Sequence, residues 1–288
     1  MKQIKKLKKK LSKLATKAKE KLSSIKLPKI KLPKLTGSAT RVVSGTAKLT
    51  LLFVFVILTG LSANRFHVKY LEHKVGQNTV FIRSMPDAEE QASGTGFEMK
   101  TPSGRVVTVT NRHICELQNS KGELAVLEKQ HSNRLIPLRV IEMSKDNDVC
   151  IVEGLAGYEG LDAASGELEV GEPVFALGYP LGQALNFSAG RVKDFGPIFL
   201  LDETTDISEC NGPKQKVQTL QSAFGPVQVC TISFDSIQTD LVIFGGNSGS
   251  AMVNIYGNVV GIIFAGNNRT NWGSSVPLSY IKDLLKAY

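Results

Sequence analysis

Cysteine is scarce, with four residues in 288 and none paired as C-x-x-C. That excludes a disulfide-dense miniprotein and makes a structural zinc site an unfavourable reading. No metal and no cofactor is expected. Histidine is equally sparse, occurring only at positions 67, 73, 113 and 131. The first 48 residues contain no aromatic side chain and one acid, Glu20, against 15 Lys and one Arg. Without aromatics to stack on bases, nucleic-acid binding by this stretch is disfavoured. Residues 49–64 lack charge altogether. What remains is ordinary: 42% hydrophobic and 21% charged residues exclude wholesale disorder.

The net charge of +9 is unevenly spread. The first 48 residues carry a surplus of 15 positive charges, so the other 240 carry −6. A mildly acidic body follows a strongly basic tail. In that tail Ile4, Leu7, Leu11, Leu14, Leu22 and Ile25 recur at helical spacing among lysines. Lys-Leu-Pro-Lys then appears at 26–29 and again at 31–34, where proline ends any helix. Residues 1–35 therefore fit a cationic surface helix drawn to an anionic membrane, each Lys contributing up to ~1 kcal/mol. A solvated tail that only fixes topology is the plainer alternative. Residues 49–64, at ~1.5 Å each, reach ~24 Å, short of the ~30 Å hydrocarbon core. Lys48 can snorkel, and Val42 and Val43 extend the apolar stretch. A cleavable signal peptide competes, with Gly60-Leu61-Ser62 as small residues, but its n-region would be unusually long. A single uncleaved anchor is the preferred reading, with the N-terminus cytoplasmic and residues 65–288 beyond the membrane. The resulting division is a basic tail over 1–48, an anchor over 49–64, a stalk over 65–79 and a folded domain over 80–288.

From position 79 onward, short β-type runs alternate with turn residues, indicating an antiparallel sandwich or barrel rather than βαβ units. Only Pro277 to Ala287 reads as a helix, with apolar Leu278, Ile281, Leu284 and Leu285.

Three segments can carry chemistry. In Gly246-Asn247-Ser248-Gly249-Ser250 a tight turn can present the Ser248 hydroxyl beside its own N–H. The glycine at 246 lets a second N–H converge on the same point, and two such donors make an oxyanion hole. Alone this signal is weak, because Gly, Asn and Ser populate any turn. Thr110-Asn111-Arg112-His113 ends the apolar run RVVTVT, and Asp146-Asn147-Asp148 opens VCIV. A lone His at a strand end is usually a bystander, and an acid opening a strand is usually solvated. Together, the order His, Asp, Ser in an all-β chain is one of the orders that nucleophilic triads adopt.

With these stand Gly94-Thr95-Gly96-Phe97, Leu177-Gly178-Tyr179-Pro180-Leu181-Gly182, Ser188-Ala189-Gly190-Arg191-Val192 and Gln238-Thr239-Asp240. In this order, over residues 80–288, they resemble the trypsin-like serine peptidases of the HtrA/Deg type. The resemblance implies two six-stranded antiparallel β-barrels with a C-terminal helix and the active site between the barrels. Carried over by position, it implies Ser248 as nucleophile, His113 as base then acid, and Asp148 as the orienting acid, with Asp146 as runner-up. The N–H groups of Gly246 and Ser248 form the oxyanion hole. Protein or peptide substrates are the expected partners.

Members of that family usually continue into PDZ domains, whereas this chain ends after its helix, so PDZ-dependent sensing is not expected. The segment 194–233 exceeds the family's needs and holds Cys210 and Cys230, expected to close an external loop as a disulfide. Cys115 and Cys150, each two residues after a triad member, could pair or pack as small apolar residues; packing is the preferred reading. The segments around Ser248 offer Ile243, Phe244, Ile263, Phe264 and Ala265 to a primary pocket, or to the barrel core. No charge lies among them, so small or medium apolar P1 side chains are expected. Digestive relatives pair a new N-terminus with an Asp before the serine. Here that residue is Asn247, expected to hold the loop by local amide hydrogen bonds. The competing functions are a catalytically silent binding module of the same fold, and a protein acting through its basic tail.

Overall fold

The computed structural model describes residues 65–128, 134–201, 207–212, 214–222, 225–267 and 271–288. The basic tail and the uncharged segment 49–64 lie outside the described residues. Among the described residues no helix is long and apolar enough to cross a membrane.

Residues 65–76, expected as a stalk, form helix α1. Val68, Leu71 and Val75 make a stripe three and four residues apart, and Leu71 and Val75 are fully buried. Asn78 ends the helix, returning its amide to the Lys74 carbonyl at 3.0 Å.

Six strands then close a barrel: β1 (Thr79–Arg83), β2 (Ser93–Lys100), β3 (Val106–Thr110), β4 (Glu123–Glu128), β5 (Arg134–Met143) and β6 (Cys150–Glu153). Their order is β1-β2-β3-β6-β5-β4, and β4 returns to β1. Residues directly opposite in the ladders share a face. Val80, Ile82, Gly94, Gly96, Glu98, Thr108 and Val152 therefore point inward. Thr95, Phe97, Met99, Val107, Val109 and Ile151 point the other way. Phe97, Met99, Val107, Val109 and Ile151 join one apolar cluster with second-barrel residues such as Val174, Leu241 and Ile262. Both faces of β2 are thus buried, which is why its sequence does not alternate cleanly.

The second sheet comprises β7 (Pro173–Gly178), β8 (Asn186–Leu201), β9 (Gln215–Ser222), β10 (Gly225–Thr239), β11 (Ala251–Val253), β12 (Val259–Asn267) and β13 (Trp272–Pro277). Six of these run β13-β12-β11-β7-β8-β10, and β10 pairs back onto β13, so the expected second ring forms. The seventh, β9, pairs among the described residues with β10 alone. The 194–233 segment is therefore built largely as strand. It lengthens β8 and β10 and hangs β9 beside them. The Cys210–Cys230 disulfide ties the turn before β9 to β10, as expected.

After β13 comes the expected C-terminal helix, here α3 (Leu278–Leu285), with Leu278, Ile281 and Leu285 buried. The terminal Tyr288 reaches the first barrel, its hydroxyl donating to Glu142 at 2.8 Å.

Candidate active site

Strand β3 stops at Asn111, a fully buried residue whose amide donates to the Asp148 carbonyl at 2.8 Å. One helical turn, α2 (Arg112–Cys115), follows and carries His113. Asp148 receives His113 twice: the backbone N–H reaches Oδ1 at 3.0 Å and ring Nδ1 lies 2.8 Å from Oδ2. The carboxylate is nearly buried while the imidazole is about half exposed. Burial works against a charged imidazole, but the hydrogen bond and charge of Asp148, helped by Glu116, raise the His113 pKa above its ordinary 6.5. With Asp148 accepting at Nδ1, that nitrogen carries the proton and Nε2 presents a lone pair.

Cys115 and Cys150 are joined by a disulfide rather than packed as free thiols. Antiparallel pairing of Thr110 with Cys150 brings the turn after β3 against the start of β6, close enough for the two sulfurs to bond. The turn before Asp148 is gripped from two sides. Arg112 donates to the carbonyls of Ser144 and Lys145 at 3.3 and 3.0 Å. From beside β9, Lys214 donates to the Asp146 carbonyl at 2.5 Å and to Asn147 Oδ1 at 3.2 Å. Asp148, not the runner-up Asp146, is the acid bonded to His113.

The Ser248 loop is shaped by two left-handed glycines. Gly246 has φ 89°, and a Cβ there would lie 2.6 Å from the Tyr179 carbonyl oxygen. Gly249 has φ 87°, and its Cβ would collide with the Thr95 carbonyl. The loop's amides alternate in use. Asn247 N–H donates to Phe244 O at 3.1 Å, Gly249 N–H to Ile263 O at 2.8 Å and Ser250 N–H to Asn247 O at 2.9 Å. The N–H groups of Gly246 and Ser248 donate to nothing among the described residues. Asn247 does not hold the loop by its amide as expected: its side-chain oxygen is buried without a hydrogen-bond partner. The Ser248 hydroxyl lies 3.5 Å from the Phe264 carbonyl.

Thr95 connects the two halves at the serine loop. Thr95 donates its N–H to Ser248 O at 2.8 Å, and its carbonyl accepts from Thr110 Oγ1 at 2.7 Å. Its hydroxyl donates to Gly246 O at 2.7 Å and accepts from Tyr179 N–H at 3.0 Å. The serine loop and the end of β3, three residues before His113, thus meet at a single strand position. The G-T-G pattern marked it: glycines at 94 and 96 turn inward, leaving Thr95 to face the second barrel.

The residues offered to a primary pocket separate. Ile263 is fully buried in β12, its backbone bonded to Ser250 and Gly249. Ile243 is buried too, filling the space left by Gly266 and Gly273. The β12–β13 register shifts between Ile263 and Ala265, so Phe264 sits at a bulge, its ring 5.7 Å from Phe234. Phe244 and Ala265 are half-buried. Among the described residues no cluster of His, Cys, Asp and Glu could hold a metal.

Residues 94–262 match the family described as a trypsin-like peptidase domain. The chain is 29% identical over 174 residues to "Serine protease Do-like HtrB" of Bacillus subtilis, covering 58% of this chain and 31% of that one. It is 28% identical over 185 residues to "Probable periplasmic serine endoprotease DegP-like" of Chlamydia pneumoniae, covering 62% and 30%. The chain spans about a third of the length of these curated relatives. Among solved structures, the active form of the Rv3671c protease from M. tuberculosis superimposes with a TM-score of 0.56 at 18% identity. The match covers 75% of this chain and 82% of that one, a likeness of fold.

Proposed function

This chain belongs to the trypsin-like peptidase domain family, and from that premise we propose that it is a serine endopeptidase of the HtrA/Deg type. His113, Asp148 and Ser248 act as its triad. The observation that carries the reading is the two-point hold of Asp148 on His113, through the backbone N–H and ring Nδ1. That hold presents Nε2 as a base. Ser248 Oγ attacks the scissile carbonyl carbon while its proton passes to Nε2. The oxyanion that forms is received by the Gly246 and Ser248 N–H groups, two donors with no competing partner among the described residues. Collapse breaks the C–N bond, the imidazolium protonates the departing amine, and an acyl-Ser248 remains. Water, deprotonated by the same nitrogen, then hydrolyses that ester and restores the hydroxyl.

Phe244, Phe264 and Ala265, half-buried or at the bulge beside Ser248, shape a pocket for small or medium apolar side chains. Segment 49–64 anchors the chain in a membrane, with residues 1–35 on its anionic cytoplasmic face and the peptidase domain outside the cytoplasm. The DegP-like relative's periplasmic description agrees with that placement. Because residue 247 is Asn, activity needs no freshly cut N-terminus. The test is fluorophosphonate labelling and casein hydrolysis by full-length protein in detergent, beside a version trimmed at the start of α1. Equal activity in both, abolished in Ser248→Ala, is required. An unlabelled wild type would remove the peptidase reading, and activity only after trimming would remove the activation claim.

A further inference from the structure

We propose that Thr95 is a positioning residue of the oxyanion loop, its hydroxyl holding the peptide plane that follows Gly246 while Leu181 holds the plane that carries the Gly246 N–H. The inference rests on the peptidase reading above. The loop from Gly245 to Ser250 contains three glycines, and its one amide side chain makes no hydrogen bond through its oxygen. Beyond its own turn bonds, Asn247 N–H on Phe244 O and Ser250 N–H on Asn247 O, its shape depends on holds from outside. Two consecutive carbonyls receive that outside hold. Gly245 O accepts the Leu181 N–H at 2.6 Å, and Gly246 O accepts the Thr95 hydroxyl at 2.7 Å.

A peptide plane carries its C=O and N–H on opposite sides. Anchoring Gly245 O on Leu181 turns the Gly246 N–H away from Leu181, and anchoring Gly246 O fixes the other side of that glycine. Gly246 has φ 89° and no side chain, so its own torsions give little resistance. The plane after it is held by Thr95 on Gly246 O together with the Asn247 N–H on Phe244 O at 3.1 Å. The Thr95 hydroxyl is itself oriented. It accepts from Tyr179 N–H at 3.0 Å, which directs its single proton to Gly246. Tyr179 lies two residues before Leu181, so one short segment, 179–181, supplies both the Leu181 anchor and the group that aims the Thr95 anchor. Thr95 is fully buried, and a Cβ on Gly178 would approach its hydroxyl to 3.2 Å, so water has no room to replace it.

The side chain that organises the second-barrel loop thus belongs to a first-barrel strand. That same residue's backbone carbonyl holds Thr110, three residues from His113. Completion of the oxyanion hole is thereby tied to correct docking of the strand that leads into His113, a linkage that needs no N-terminal ion pair.

The experiment compares full-length wild type, Thr95→Val and Thr95→Ser on fluorescein-casein, with fluorophosphonate labelling and thermal melting of each. Valine keeps the shape and removes the hydroxyl. It is expected to lower kcat about 10- to 100-fold with KM within threefold, less than the ~10²–10³ for deleting an oxyanion donor outright. Serine restores the hydroxyl and should return kcat to within threefold of wild type. Valine activity within threefold of wild type would overturn the proposal, as would a folded serine variant as impaired as valine. A merely structural role would make the loss follow the melting temperature and recover on cooling, which would also overturn it. Should valine prevent folding, Thr95→Ala takes its place, and the serine arm remains decisive. Failure of the peptidase reading looks different: wild type itself would be inert to the fluorophosphonate.

Discussion

The two corners of the candidate site are held by opposite means. The first-barrel corner, with His113 and Asp148, is fastened mainly by its own side chains: a disulfide two residues beyond each, the Asn111 amide, and Arg112 across the turn, with Lys214 added from beside β9. The second-barrel corner, with Gly246 and Ser248, has almost no side chains of its own to use and is held by Thr95 and Leu181 from elsewhere. The difference follows from the work proposed for each. An acid–base pair needs a fixed tautomer and a fixed ring, which side chains provide. An oxyanion loop needs bare N–H groups converging on a point, which requires glycine and left-handed backbone. Such a loop can be rigid only by proxy.

The sharpest way to break this comparison is at Asp148. Asp148→Asn is expected to lower kcat by up to about 10⁴-fold by favouring the wrong tautomer. It should also move the acid limb of kcat/KM. In the proposed mechanism neutral His113 is the active form, and its pKa is raised, so wild-type activity should fall as pH drops through a point above 6.5. Without the carboxylate, burial still disfavours the charged ring, so the limb should shift to lower pH. A pH profile checks this, and an unmoved limb would separate His113 from Asp148.

Next in size are the two disulfides, which differ in what they hold. Replacing Cys115 and Cys150 by Ser opens a 35-residue separation, about 4 kcal/mol in the chain-entropy model. It should also reduce kcat. Replacing Cys210 and Cys230 opens a 20-residue separation, about 3 kcal/mol in the same model. It should leave kcat largely intact. Denaturant melts with parallel assays test both; equal damage to kcat from each pair would dissolve the distinction.

The narrowest effect, confined to stability within one pH window, concerns Glu98, whose side chain points into the first barrel. It accepts from Thr108 Oγ1 at 2.6 Å and Leu155 N–H at 3.3 Å. Burial outweighs these bonds and pushes its pKa up from 4.5 to about 7. The folded state therefore holds this proton more tightly than the unfolded chain, so stability falls as pH rises from 4.5 to about 7. The full loss is on the order of 3 kcal/mol. Glu98→Gln should flatten that slope, read from denaturant melts at pH 5 and pH 8. An unchanged slope would show that the barrel interior is less hostile to the carboxylate than its burial implies.

Much of this was legible in the sequence, and the remainder fails for identifiable reasons. The short-strand pattern, the C-terminal helix and the paired order of His113 with Asp148 are local signals, each carried by a few contiguous residues. Helix α1 was missed because a three-turn stripe between an apolar run and a strand offers little periodicity to read. The Cys115–Cys150 bond depends on the register of β3 against β6, which spacing does not encode. The bulge at Phe264, which separates it from buried Ile263, is a register shift of the same kind. Thr95 was visible as part of a motif, but its role required knowing which barrel each face of β2 meets. Lys214 carried no signal at all, since its partners lie 67 and 68 residues away.

Helix α1 has a consequence in mechanics. Most of its side chains meet the second barrel: His67 beside Phe175, Leu71 against the turn at Gly257, Lys74 on Tyr256 O and Asn258, Gly76 against Leu177 and Leu185. Its last turn bonds β1 through Val75 O and Thr79 Oγ1. Yet the strand that follows, β1, belongs to the first barrel. Tension applied at residue 65 is therefore shed sideways along the helix into β7 and the β11–β12 turn before it reaches β1. The barrel carrying His113 and Asp148 is met only at the end of the helix, through Val75 and Thr79. Under the proposed N-terminal tether, α1 would act as a strain-relief collar does for a cable, spreading the pull over the second barrel before it reaches β1.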